Sequence, residues 1–348
     1  MRKLSTCIGW IVAAAMALPV FAPQAAAQEF DFVQAIVKPQ VNIERARHLR
    51  RLIRERGEDL LKRRMGAGAT GTVYPLAYGE DGVEAVEAEA AEPKGINLWI
   101  DGNGGRLEDS HVLRGYDGTQ YALSFGGDAQ LSERVILGAI GVHSGTDIDN
   151  AFVPGGSSTR AFGLGPYAAV FLTDTVVMTG SLLRTWTDNR MNGLGVTAGY
   201  DSRDWMLNAN VTSYHFAGNW QFAPTAGISY GVESEDGYVD SSATAFAASE
   251  TRTGSFAFGG KIAYTHALAN GMTVEPSLEA EGEWTFERTT TATTTLPRDE
   301  AEFDLTVTGG LDVAISDRTA FSLSGAVSGL AKPDYLSFTG GARLGVAF

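Results

Sequence analysis

The sequence predicts an all-β protein, a 12-stranded antiparallel transmembrane β-barrel preceded by a short basic helical segment. Three observations predict it. Residues 335–348, YLSFTGGARLGVAF, alternate strictly: Leu336, Phe338, Gly340, Ala342, Leu344, Val346 and Phe348 share one parity, and polar or tiny residues fill most of the other. Connections between such alternating segments are in turn long and short, the mark of barrels with short turns on one side and long loops on the other. Residues 1–27 carry an export signal, and no later stretch is long and apolar enough to span as a helix.

The signal is read from Arg2 and Lys3, the apolar run 8–22 and the small residues Ala25, Ala26 and Ala27 before Gln28. Pro19 and the shortness of the run argue against a retained anchor. The one cysteine, Cys7, lies inside the signal, so the exported chain has no thiol for disulfides, nucleophilic catalysis or metal ligation. Removing Arg2 and Lys3 from the 27 basic residues leaves 25 against 41 acidic ones, a formal charge of −16. Such a balance excludes nucleic acid as a partner.

Residues 28–66 form the basic helical segment. Ile43, Ala46, Leu49, Ile53, Leu60 and Leu61 recur at helical spacing, and the other faces carry Arg45, Arg47, Arg50, Arg51 and Arg54 among further cations. Gly57 allows either one bent helix or two short ones. A straight helix over 40–65 spans roughly 39 Å, enough to thread a pore. Residues 67–95 read as a flexible acidic linker with no core-forming period.

The barrel is predicted over 96–348, with strands at 96–104, 119–129, 134–146, 159–172, 176–189, 203–215, 219–233, 252–268, 271–287, 302–315, 318–331 and 335–348. Long connections are expected at 105–118, 147–158, 190–202, 234–251 and 288–301, with the short ones periplasmic. Trp220, Phe222, Trp284, Phe286, Phe338 and Phe348 sit near strand ends, where interfacial girdles form. The segment 176–186 is less clean, with apolar residues on both faces and Arg184 on one.

The strongest charge pattern lies at 272–287. Met272, Val274, Leu278, Trp284 and Phe286 take the lipid parity, and Glu275, Glu279, Glu281, Glu283 and Glu287 take the lumen parity. The following strand adds Glu302, Asp304 and Asp312. Like charges facing one another in a narrow lumen need compensation. The helix arginines are the expected compensating plug, with a solvated periplasmic helix as the alternative.

Of the histidines, His215 and His266 fall on lipid or rim parity and neither belongs to a nucleophile motif. His111 and His143, with Asp109, Ser110, Ser144, Asp147 and Asp149, are placed near external loops and read as solvated polar groups. No catalytic residue, cofactor or metal site is expected.

Two stretches carry a family resemblance. The run WQFAPTAGISYGVESEDGYVDS from Trp220 and the ending GGARLGVAF resemble autotransporter translocator domains, and INLWIDGNGG, with Trp99, is similar to the opening of their first strand. The resemblance covers 96–348. It implies a twelve-stranded outer-membrane barrel crossed by an N-terminal helix, a role in anchoring or exporting what precedes it, and Phe348 as part of the signal read by the barrel-assembly machinery. The departures are a very short preceding segment and a long linker between helix and barrel. A small cation- or solute-conducting channel and a surface adhesion protein acting through outer loops are the alternatives.

Overall fold

The computed structural model describes residues 37–64, 96–110, 115–151, 154–291, 303–316 and 318–348. The predicted export signal and linker lie outside the described residues. Twelve strands form the wall: β1 (Ile96–Asp109), β2 (Tyr116–Ser132), β3 (Val135–Asn150), β4 (Gly155–Phe171), β5 (Val176–Gly193), β6 (Val196–Ser213), β7 (Trp220–Glu235), β8 (Ser249–Tyr264), β9 (Thr273–Thr290), β10 (Phe303–Ser316), β11 (Thr319–Ser328) and β12 (Tyr335–Ala347). Each pairs antiparallel with its sequence neighbours. β1 also pairs with β12, from Asn97↔Ala347 to Asp109↔Tyr335, so the sheet closes on itself. Closure satisfies every strand edge, as a sheet in hydrocarbon requires.

Alternation then sorts the side chains. Leu98, Ile100, Phe125, Leu164, Leu207, Phe258, Leu278 and Leu344 are exposed on the outer surface, while Ser124, Thr179, Asn208, Asn210 and Ser229 are buried inside. All six girdle aromatics named from the sequence are also exposed.

The lumen is filled by one helix, α1 (Lys38–Arg64). Gly57 does not break it. A Cβ there would lie 2.7 Å from Thr179 Cγ2, so the missing side chain lets the helix lie against β5. The apolar face meets the wall in three tiers. Val37 joins Leu107, Tyr116, Ile148, Met191, Tyr200 and Tyr335 at one mouth. Ala46, Leu49, Leu52 and Ile53 pack on Trp99, Ile140, Tyr167, Leu183 and Met206 midway. Leu60 and Leu61 meet Ile136, Phe171, Val177, Tyr214 and Ala223 at the other mouth. This explains why 176–186 is apolar on both faces: Val177 and Leu183 pack on the helix, while Met178 and Leu182 are exposed outside.

The strands outrun their predicted bounds at the loop end. The expected long connection 190–202 is instead a two-residue turn at Leu194 and Gly195, with φ of 49° and 82°, the paired left-handed conformation of a tight hairpin. The predicted strand ends at 189; Arg190, Met191, Asn192 and Gly193, which extend it to the turn, carry no apolar residue on the outward parity, so hydropathy gives no strand signal there. The expected loop 234–251 likewise contains a small hairpin of Tyr238–Val239 with Ala245–Phe246. Its Tyr238 ring stacks between Tyr200 at 4.6 Å and Phe246 at 4.7 Å.

Candidate functional site

The site is the contact between the basic face of α1 and the inner wall of β9 and its neighbours. A helix repeats every 5.4 Å along its axis. Two residues of strand rise about 6.7 Å, which a barrel tilt of 35–45° projects to about 5 Å. One helical turn therefore matches one inward strand position, and the two charge series stay in step.

The rungs follow this rule. Arg47 donates to Glu283 at 2.9 Å and to Asp304 at 2.9 Å. Arg50 donates to Glu281 at 2.5 Å and to Ser229 at 2.8 Å. Arg54 holds both oxygens of Glu279, at 2.5 and 2.6 Å, and reaches Glu281 at 3.3 Å. Lys62 ends the series on Glu275 at 2.6 Å. Between the last two, β9 carries Ser277 and the helix carries Glu58, whose partners are Lys261 at 2.5 Å and Gln221 at 3.0 Å. Where the wall lacks a carboxylate, the helix supplies one. The arginines and glutamates of these rungs are buried, so each charge depends on its partner.

Several partners fall outside the segments singled out from sequence. Lys38 pairs with Glu235 at 2.5 Å and Glu233 at 3.5 Å on β7. Arg45 pairs with Asp204 at 2.5 Å on β6, away from the glutamate wall. Arg56 pairs with Asp128 at 2.7 Å on β2, and Arg343 on β12 pairs with Glu55 at 3.0 Å and Asp59 at 3.4 Å. Inward parity on β2, β6 and β7 was the available signal, but a single acid among polar residues does not stand out as a run does. Among the described residues Arg51 pairs only with Glu55, within the helix at 3.8 Å. His48 contacts Asn103 at 2.6 Å. Near the loop-end mouth, outside the spanning strands, Lys332 donates to Gln40 at 2.8 Å. Burial pushes its ammonium down to about 8 against the raising influence of Asp304.

Of the acids named from sequence, Asp312 faces the lower lumen beside Lys261 and Arg343, and Glu302 lies outside the described residues. Glu287 is a correction. The β8–β9 register shifts between Gly254 and Ser255, leaving Phe286 as the extra residue and setting Glu287 opposite outward Gly254. Glu287 accepts from Tyr230 on the outer surface and does not line the lumen. His143 is a second correction, because it lies within β3 on the outer face between Leu123 and Phe162, tilted on Tyr121 at 5.9 Å. Adjacent Ser144 points to the opposite side, so these two cannot act on one substrate. His111 lies outside the described residues, and His215 and His266 are exposed.

Little room remains beside the helix. The cavity bounded by Glu44, Arg45, His48, Arg51 and Asn103 has a volume of about 70 Å³, space for a few waters.

Known proteins place this architecture. A family model, the autotransporter beta-domain, matches residues 98–326. The β domain of the Bordetella autotransporter BrkA is similar at 19% identity and a TM-score of 0.58, over 72% of this chain and 98% of that one. The translocator domain of NalP from Neisseria meningitidis is similar at 12% identity and a TM-score of 0.60, over 84% and 96%. The transport unit of AIDA-I from Escherichia coli is similar at 12% identity and a TM-score of 0.58, over 78% and 95%. No curated protein matches the sequence. With a family model spanning more than half of it, the chain belongs to the autotransporter β-domain family and is an outer-membrane β-barrel.

Proposed function

We propose that the barrel anchors the residues preceding Val37 at the cell surface while α1 closes the lumen. The observation that supports this is the direction of the helix. Lys38 lies at the mouth with β7 Glu235 and the Tyr238 hairpin, and Leu61 lies at the opposite mouth with Tyr214 and Phe171. The second mouth is where β1 begins and Phe348 donates its backbone N–H to Ile96 O at 3.1 Å. On this reading the helix crosses the lumen from the outer mouth at Lys38 to the periplasmic mouth at Leu61, and the residues before Val37 are displayed outside. The reading includes a cleaved signal through Ala27, lipid as the surrounding partner and no enzymatic step.

An epitope tag inserted after Gln28 is expected to be labelled on intact cells, while a tag near Gly82 is labelled only after the outer membrane is permeabilised. Labelling in the reverse order would overturn the orientation.

Phe348 is assigned to recognition by the barrel-assembly machinery. It is 70% exposed, on lipid parity, and at the β1–β12 seam where Leu98 pairs with Val346 and Ile100 with Leu344. Removing Phe348 is expected to lower the amount of folded barrel recovered from the outer membrane and to leave the conductance of the folded fraction unchanged. Normal insertion would contradict the assignment.

A further inference from the structure

Arg184 lies outside the charge-matched lumen, on the lipid-facing side of the wall. It is on the lipid parity of β5, below Trp186 and above Leu182, and the register sets it between Leu164 on β4 and Trp205 on β6. Its guanidinium carbon lies 4.9 Å from the centre of the Trp205 ring. Among the described residues it forms no ion pair with a carboxylate. A cation set in an apolar belt is costly unless it reaches the interface and meets an anion there.

The neighbouring rungs add further outward arginines away from the membrane centre, interleaved with exposed Asp188, Asp201 and Asp236. One step toward the Leu194 turn, Trp186 is opposite Arg203, and one step beyond that, Arg160 is opposite Asp188. Asp188 is engaged by Arg190 at 3.1 Å, Arg203 reaches exposed Asp236 only at 3.5 Å, and Arg160 has no ion pair among the described residues. The three guanidinium groups thus occupy successive rungs, each about 5 Å apart along the barrel axis. Trp205, beside Arg184, and Leu207, one step below it, are each 49% exposed and give an apolar surface for hydrocarbon.

We propose that this face of β4–β6 binds a phosphorylated glycolipid of the outer leaflet, with its phosphates on Arg184, Arg203 and Arg160 and its acyl chains against Trp205 and Leu207. Guanidinium groups suit phosphate oxygens, and their spread over several rungs favours a headgroup with two phosphates over a single-phosphate phospholipid. The assignment rests on the outer-membrane placement and on the Leu194 turn facing outward.

The test uses the full exported chain in non-ionic detergent, titrated by native mass spectrometry with bisphosphorylated lipid A and with its dephosphorylated counterpart. Arg184→Gln is expected to weaken lipid A binding about tenfold, the loss of one charge-assisted contact. Arg184→Lys is expected to retain most of it, and the dephosphorylated lipid should bind the native chain no better than lipid A binds Arg184→Gln. Millimolar inorganic phosphate should not displace the lipid. Equal binding by native and Arg184→Gln chains, indifference to the lipid phosphates, or displacement by inorganic phosphate would each overturn the proposal. Because Arg184 faces outward, its variants should keep native heat resistance, so a folding defect is separable from a binding defect. Cell fractionation reports on membrane placement independently, so failure of the placement and failure of the lipid site give different results.

Discussion

Reversing Glu279, Glu281 and Glu283 to lysine together is expected to turn a closed barrel into an open one. Each of these carboxylates holds a buried arginine of α1, and Arg54 and Arg50 each contact two of them. Breaking one buried pair by removing a partner costs about 3–5 kcal/mol, and reversal adds repulsion at the same rung. The wall itself is held by strand pairing and lipid, so the helix should leave before the barrel unfolds. Planar-bilayer recordings are expected to show little steady current for the native protein and a large one for the triple variant. Deleting 37–64 should also open the lumen, but with the glutamates intact the current should prefer cations, whereas the lysine variant should prefer anions. A native protein that conducts steadily and selects cations would instead favour the channel reading. Unchanged conductance in the triple variant would remove the closure role of these pairs.

The barrel was legible because lipid imposes a period of two. On β10 and β12 the outward residues, such as Phe303, Leu305, Leu311, Phe338 and Leu344, are apolar, while Asp304, Thr306, Thr308, Ser337 and Arg343 face inward, and a reader of the sequence can count strands from such alternation. What failed depended on contacts that leave no periodic trace. Arg190 to Gly193 continue β5 beyond the predicted end at 189, where the outer face is exposed and polar and no apolar residue marks it as strand. Glu287 looked inward because parity was carried across a bulge that Phe286 creates. The glutamate wall stood out as a dense run, but its match to Arg47, Arg50 and Arg54 follows from the near equality of helical pitch and projected strand step. Single acids such as Asp128 and Asp204 gave no comparable signal, and they become visible only once the helix is in place. The mixed faces of 176–186, which weakened the strand assignment, mark the wall against which the helix packs.

Asp128→Ala is expected to produce a larger loss of stability than a typical single substitution in the wall. Its carboxylate is 3% exposed and fully engaged. One oxygen accepts from Arg56 at 2.7 Å and from the Tyr167 hydroxyl at 2.5 Å, and the other accepts from Asn97 at 2.8 Å. Trp99 in turn donates to the Tyr167 oxygen at 2.9 Å, so β1, β2, β4 and α1 meet at this one group. Among the described residues, removing it leaves the Arg56 side chain, 2% exposed, with only Asp59 at 3.1 Å, a loss of about 3–5 kcal/mol. Replacing Arg56 by Met in the same chain removes the orphaned charge and keeps similar bulk, so Asp128→Ala with Arg56→Met should recover much of the loss. Arg56→Met alone should be the mildest of the three, because Tyr167 and Asn97 still serve Asp128. The urea midpoint of the folded barrel, or the temperature at which its heat-resistant gel band disappears, ranks the variants. A double variant no more stable than Asp128→Ala would show that the cost is not the buried guanidinium, and the coupling of helix to wall at this end would have to lie in the Leu60 and Leu61 contacts instead.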